Sequence, residues 1–152
     1  TALLADAGVI DHGGAAFASH GRWRKGYTWS RLRIGTFELT VASVHLDHAS
    51  AAVRHRQALE LVEVLAREPG PYVVLGDFNS TGRSPVGPVR EIERRLGVRA
   101  YESSRRMPST YPALGRRLDW ILVSPQLAFV GYHVLVDDRL SDHRAVVADL
   151  RV

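Results

Sequence analysis

Four short polar groups interrupt apolar stretches of this chain, and each has residue types that could do chemistry. The first is Gly76-Asp77-Phe78-Asn79, directly after the apolar run Tyr72–Leu75. A buried strand that ends in a carboxylate and an amide presents catalytic groups from a rigid element. The same four residues also suit a turn. The second is Ser141-Asp142-His143, just before an apolar strand. Adjacent Asp and His side chains could serve a divalent ion and a phosphate oxygen or water, or they could cap a turn. A Ser–His–Asp relay is excluded there, because neighbouring residues cannot reach that geometry. The third is Asp119, inside the run Leu118–Ser124. A carboxylate in that setting is costly to bury without a partner. Histidine is the natural partner, since the bond fixes the tautomer and raises the basicity of the ring. The alternative is an edge strand with Asp119 facing water. The fourth is His45-Leu46-Asp47-His48, whose side chains, with His55 downstream, have the types of a zinc cluster.

These groups need elements to position them. Ala2–Ala5 reads as a short apolar strand, followed by a glycine-containing stretch. Tyr27–Ile34 and Phe37–His45 have strand composition, joined by a tight turn at Gly35-Thr36. A helix of about 17 residues follows, with Ser50 as N-cap. Ala58, Leu61, Val62 and Leu65 form its apolar stripe. Glu68-Pro69-Gly70-Pro71 stops it. Tyr72–Leu75 reads as a central strand buried on both faces. Residues 80–88 form a loop, Val89–Leu96 a second helix ended by Gly97, and 102–117 a long Arg-rich loop. Leu118–Ser124, Ala128–Val136 and Arg144–Val152 are the last strands. The order predicts a mixed α/β sheet. No internal repeat or long linker breaks the chain, so residues 1–152 read as a single domain.

Composition narrows the chemistry. The chain has 152 residues and no cysteine, which excludes disulfides, thiolate zinc sites, iron–sulfur clusters and a cysteine nucleophile. No apolar run reaches the roughly 18 residues of a spanning helix, and the N-terminus lacks the pattern of a signal peptide. Lys+Arg outnumber Asp+Glu by 20 to 16, a net charge of +4. That excess suits a polyanionic partner, but it is also an ordinary solubility charge. Trp23, Tyr27 and Trp29 could stack on a base or touch lipid, though core packing is the expectation for all three.

Taken in order and spacing, these pieces carry a resemblance. VxSVHLDH, the helix pair Arg54 and Gln57, VVLGDFNS, RLDWILVS and SDHRAVVADL together resemble the endonuclease/exonuclease/phosphatase superfamily, with its deoxyribonuclease I-like fold. The resemblance implies part of a four-layer α/β sandwich, with a mixed, mostly antiparallel sheet and flanking helices. It implies hydrolysis of phosphate esters (a phosphodiesterase, nuclease or phosphatase) with Mg²⁺, Mn²⁺ or Ca²⁺ as cofactor. By that resemblance Asp77 orients or deprotonates the attacking water, and Asn79 contacts the scissile phosphate and the nucleophile. His143 stabilises a phosphate oxygen, Asp119 holds His143, and His45 is the second phosphate-contacting histidine. Asp142 lies in the metal region together with Asp77.

The departures matter equally. In the family an N-terminal half supplies an Asn and a Glu that is the principal metal ligand. No Glu here has that context: Glu38 is mid-strand, and Glu60 and Glu63 are on a helix. The chain therefore reads as N-terminally incomplete, with weak metal affinity by itself. Its open apolar sheet face then needs a missing half, a second copy or another partner. Two other functions stay open: a non-catalytic remnant that binds a phosphorylated ligand or protein, and a zinc hydrolase built on His45, Asp47 and His48. The Arg-rich loop 102–117 could contact a polyanionic substrate.

Overall fold

A computed structural model describes residues 1–152 of the protein apart from 83, 103–106, 137, 138 and 140. Its main sheet has six strands: β1 (Gly8–Ala16), β2 (Gly26–Ile34), β3 (Phe37–His45), β4 (Tyr72–Asp77), β5 (Arg99–Ala100) and β6 (Asp119–Val123). They lie in the order β1-β2-β3-β4-β6-β5. Only β3 and β4 run parallel, joined by the helix α1 (Ala51–Leu65); the other neighbours are antiparallel. A second helix, α2 (Pro88–Leu96), follows β4, and β7 (Ala128–Val134) pairs with β8 (Val146–Arg151) as a separate hairpin.

Two cores explain the layering. On one sheet face Ala42, Val44, Val74, Trp120 and Leu122 pack against Ala58, Leu61, Val62 and Leu65 of α1 and Val89 and Ile92 of α2. On the other, Leu39, Val73, Ile121 and Val123 pack with Leu127 and Tyr132, and with Val146, Ala148 and Leu150 of the β7–β8 hairpin. Successive side chains of a strand point to opposite faces, so the central β4 is apolar on both sides. The chain thus forms a helix layer, a six-stranded sheet and a two-stranded sheet. No helix among the described residues is long and apolar enough to cross a membrane.

Local signals act as expected. The Ser50 Oγ accepts the Val53 N–H at 3.3 Å and caps α1. Pro88 opens α2, and Gly97, left-handed at φ 65°, closes it. Two expectations fail. Ala2–Ala5 is not a strand; the first strand is the glycine-containing stretch after it. Its glycines mark close approach, not a loop: a Cβ on Gly13 would lie 2.9 Å from the Trp29 indole nitrogen, and one on Gly14 2.8 Å from the Tyr27 carbonyl oxygen. The two-residue β5 is too short for a periodic pattern to mark it. Trp29 and Tyr27 pack against the core, but Trp23 does not.

Gly76 sets the end of β4. Its φ is +134°, and a Cβ there would stand 2.0 Å from the Val44 carbonyl oxygen. Only glycine lets β4 lie against β3 and still deliver Asp77. Gly76→Ala is therefore expected to destabilise the fold by about 3 kcal/mol or more, read as a lowered urea midpoint; an unchanged midpoint would contradict this backbone constraint.

Candidate active site

One row of cross-strand partners builds the site. His45 of β3 stands opposite Asp77 of β4, and Asp77 opposite Asp119 of β6. Register partners share a face, so these three end the apolar face formed by Leu39, Val41, Val73, Leu75, Ile121 and Val123. The hydrophobic strands position the row, and the loops above it complete a cavity of about 660 Å³. That cavity is lined by Lys25, His45, His48, Arg54, Asp77, Asn79, Tyr111, Leu114, Arg116, Leu118, Asp119, Ser141, Asp142 and His143.

The expected Asp–His pair is present. His143 Nδ1 lies 2.8 Å from Asp119 Oδ2, and the Tyr111 ring packs on the imidazole with centroids 4.8 Å apart. Burial opposes a charged ring, but the hydrogen bond and charge of Asp119, then Asp77 and Asp142, raise the His143 pKa above its ordinary value. Sequence reading missed what holds the pair together. Buried Thr110 accepts the Leu118 and Asp119 N–H groups on its Oγ1, at 2.9 and 3.1 Å, while its carbonyl accepts the Arg144 N–H at 2.8 Å. One residue thus pins both partners. Ser141 Oγ accepts the His143 N–H at 3.1 Å.

Asp77 is held from its other side. Asn79 donates its backbone N–H to Asp77 Oδ1 at 2.8 Å, and its amide Nδ2 to Asp77 Oδ2 and the Leu46 carbonyl, both at 3.0 Å. Asn79 has φ +46°, a left-handed conformation that asparagine tolerates. Both amide protons are thereby used inside the protein. In this arrangement Asn79 ties Asp77 to the loop that follows β3. Burial first, and the Asp119 charge next, lift the Asp77 pKa against the Asn79 N–H and the two histidines.

His45 is likewise held by protein groups. Its Nε2 lies 2.8 Å from Lys25 Nζ and 3.3 Å from Asp77 Oδ2. An ammonium only donates, so toward Lys25 the ring nitrogen is the acceptor. Burial and then the Lys25 charge lower the His45 pKa. Lys25, absent from the motifs, is the N–H donor at this corner. Its only sequence signal is its place before the Gly26 that opens β2.

Among the described residues, one group of three possible metal-ligating side chains comes together: Asp77, Asp119 and His143, with ligand atoms within 4.8 Å of one another. Asp142 is exposed at the rim, takes the Ser141 hydroxyl at 3.3 Å and stands outside that group. His45, Asp47 and His48 form no such group. Asp47 is buried, and its Oδ1 accepts the Ala49 and Ser50 N–H groups at 2.9 and 2.7 Å, at the head of α1. Those backbone bonds, with nearby His48 and Arg54, hold its pKa low against burial. His48 is exposed. The zinc reading therefore loses its ligand set. Of the Arg-rich loop, residues 103–106 lie outside those described; Arg116 is paired by backbone with Tyr111 and reaches the cavity rim.

The raised His143 value has a definite sign. The stability from its bond with Asp119 is full below the ordinary histidine pKa and is lost as pH climbs through the raised folded value. An NMR titration is expected to place His143 above an unperturbed histidine and to show a drop in Asp119→Asn. Equal values in the two proteins would contradict the pairing.

A family model described as the Endonuclease/Exonuclease/phosphatase family matches residues 9–143. The chain is similar in structure to an endonuclease/exonuclease/phosphatase from Bacteroides vulgatus, with TM-score 0.77 and 21% identity over 95% of this chain and 66% of that one. A family protein from Bacteroides thetaiotaomicron gives TM-score 0.75 and 18% identity over 94% of this chain and 65% of that one. The human Nocturnin catalytic domain with bound sulfate gives TM-score 0.72 and 18% identity over 95% and 59%. The chain thus spans 65–66% of the first two structures. No curated protein sequence matches it.

Proposed function

The chain belongs to the endonuclease/exonuclease/phosphatase family, whose members hydrolyse phosphate esters, and from that premise we propose that it carries the phosphate-gripping part of a divalent-metal-dependent phosphoesterase. The single observation that carries this reading is the convergence of Lys25, His45, Asp77, Asp119 and His143 on one cavity. Attack on a phosphate ester loads negative charge onto its oxygens, and preorganised donors stabilise it. His143, held charged by Asp119, offers Nε2–H for that purpose. Lys25 uses one N–H on His45 and has two more for the phosphate. Asp77, with a raised pKa and clamped by Asn79, is suited to orient and deprotonate water. His45 stays neutral between Lys25 and Asp77. Environments that push neighbouring groups apart in this way assign acid and base roles.

The donor set fits a hard divalent cation. Asp77 and Asp119 are carboxylates, no thiolate is present, and magnesium is commonly held by one or two carboxylates together with substrate phosphates. When bound, such an ion supplies Lewis-acid polarisation of the phosphoryl group. With only two carboxylates, both already hydrogen-bonded, affinity in the absence of phosphate is expected to be weak. We also propose a further polypeptide segment against the inner sheet face, from a longer chain or a partner. Its support is an open apolar trough of about 410 Å³ at Leu3, Leu4, Val9, Leu32 and Val41.

Hydrolysis of phosphodiester and phosphomonoester substrates with Mg²⁺ tests the reading, on this chain and on any longer natural form. Chelation is expected to abolish turnover and Mg²⁺ to restore it. Asp77→Ala and His143→Ala should each lose on the order of 10²–10⁴-fold in kcat, with unchanged folding by circular dichroism. Asp119→Asn should lose less, because it misorients His143 without removing it. Near-normal turnover in either alanine variant would overturn the assignment.

A further inference from the structure

The connection from β1 to β2, residues 17–25, is fastened at its base and bare at its tip. Phe17 donates its N–H to the Lys25 carbonyl at 2.9 Å and closes the loop. Glu60 of α1 takes the Ala18 and Ser19 N–H groups, both at 2.8 Å. Gln57 donates to the Ser19 carbonyl at 2.9 Å and accepts the Asp47 N–H at 2.7 Å. Gly21 sits on the buried Asp47 carboxylate, with room for no side chain: a Cβ would be 2.7 Å from Oδ2. Two side chains of α1, Glu60 and Gln57, thus hold the loop, and they hold it so that Trp23 stands 55% exposed.

An indole left in water forgoes the free energy its burial would give. Its surroundings say what it could meet. Arg22 lies over one face of the ring, 5.4 Å from its centroid. Arg22 and Arg24 are exposed, and the run 20–25, HGRWRK, contains no acidic residue. Trp23 is two residues from Lys25, whose Nζ is in the cavity at His45. Two residues span at most about 7 Å of backbone, so the loop tip that carries Trp23 borders the cavity that Lys25 enters. We propose that Trp23 is a stacking platform for an unpaired base beside the bound phosphate, so that the site takes single-stranded nucleic acid. The inference rests on the phosphoesterase reading only for the position of the phosphate. An aromatic ring in a cationic groove binds single strands with little sequence preference, because every base has a π-face. An anionic membrane is the less favoured partner: a lipid-seated tip needs an apolar face, whereas both neighbours of Trp23 are exposed arginines.

The test reads binding without turnover. The full chain, in EDTA at low salt, is titrated into a fluorescein-labelled oligothymidylate of about twelve nucleotides, a duplex of equal length, and phosphatidylcholine–phosphatidylglycerol vesicles. Trp23→Ala is expected to weaken oligothymidylate binding roughly tenfold, and Trp23→Phe to retain it within about threefold, since a ring of either kind stacks. The duplex should bind more weakly than the single strand. Equal affinity of Trp23→Ala and the wild type, no wild-type binding, a duplex bound as tightly, or a Trp23 effect confined to vesicles would each overturn the proposal. Chelated protein turns nothing over, so these outcomes judge the platform alone. A protein that binds through Trp23 yet hydrolyses no phosphate ester with Mg²⁺ would overturn only the phosphoesterase reading.

Discussion

A carboxylate at the end of an apolar strand must find a partner or lose its charge, and the rim of this sheet depends on how two of them are satisfied. Asp119 takes the His143 imidazole at 2.8 Å, and Asp77 takes the backbone and side-chain N–H groups of Asn79. Each arrangement tunes a reactive group: a ring whose pKa is raised, and a carboxylate more basic than usual. The two carboxylates face each other across adjacent strands, so each raises the cost of the other's charge. Lys25 and His143 supply the balancing positive charge from opposite sides. An unsatisfied anion here would cost several kcal/mol, which explains why so many of the polar contacts of this small protein gather at one cavity.

The fold serves that balance. Parallel pairing of β3 with β4 requires a crossover, and α1 provides it. The crossover also brings Gln57 and Glu60 to the β1–β2 connection and so fixes Lys25. The helix that covers one sheet face therefore builds the cation on the rim of the other. The β7–β8 hairpin packs on part of the inner face, and His143, in the connection between its strands, meets Asp119. Thr110 makes the junction rigid by joining the start of β6 to that segment.

Sequence patterns revealed the strands and helices whose periodicity is strong, including both cores of β4 and the stripe of α1. They also singled out Asp77, Asn79, Asp119 and His143, each a polar residue where the apolar pattern breaks, and the fold brings the four to one cavity. The first strand escaped notice, since its glycines answer to the width of Trp29 and the backbone at Tyr27, which no local pattern encodes. Lys25 and Thr110 escaped for a similar reason: each acts through a residue distant in sequence. Motif spacing also does not show the protein partners of His45 and Asn79, which are Lys25 for the one and Asp77 with the Leu46 carbonyl for the other. Asp47 looked like a ligand by its neighbours, yet its carboxylate holds the turn that leads into α1.

A crystal structure of the chain with inorganic phosphate would test the central claim most directly. The account predicts one anion in the cavity, with oxygens about 3 Å from Lys25 Nζ and His143 Nε2, Asp77 beside it, and the Asp119–His143 bond intact. An anion bound elsewhere with this cavity empty, or a His143 ring separated from Asp119, would contradict it.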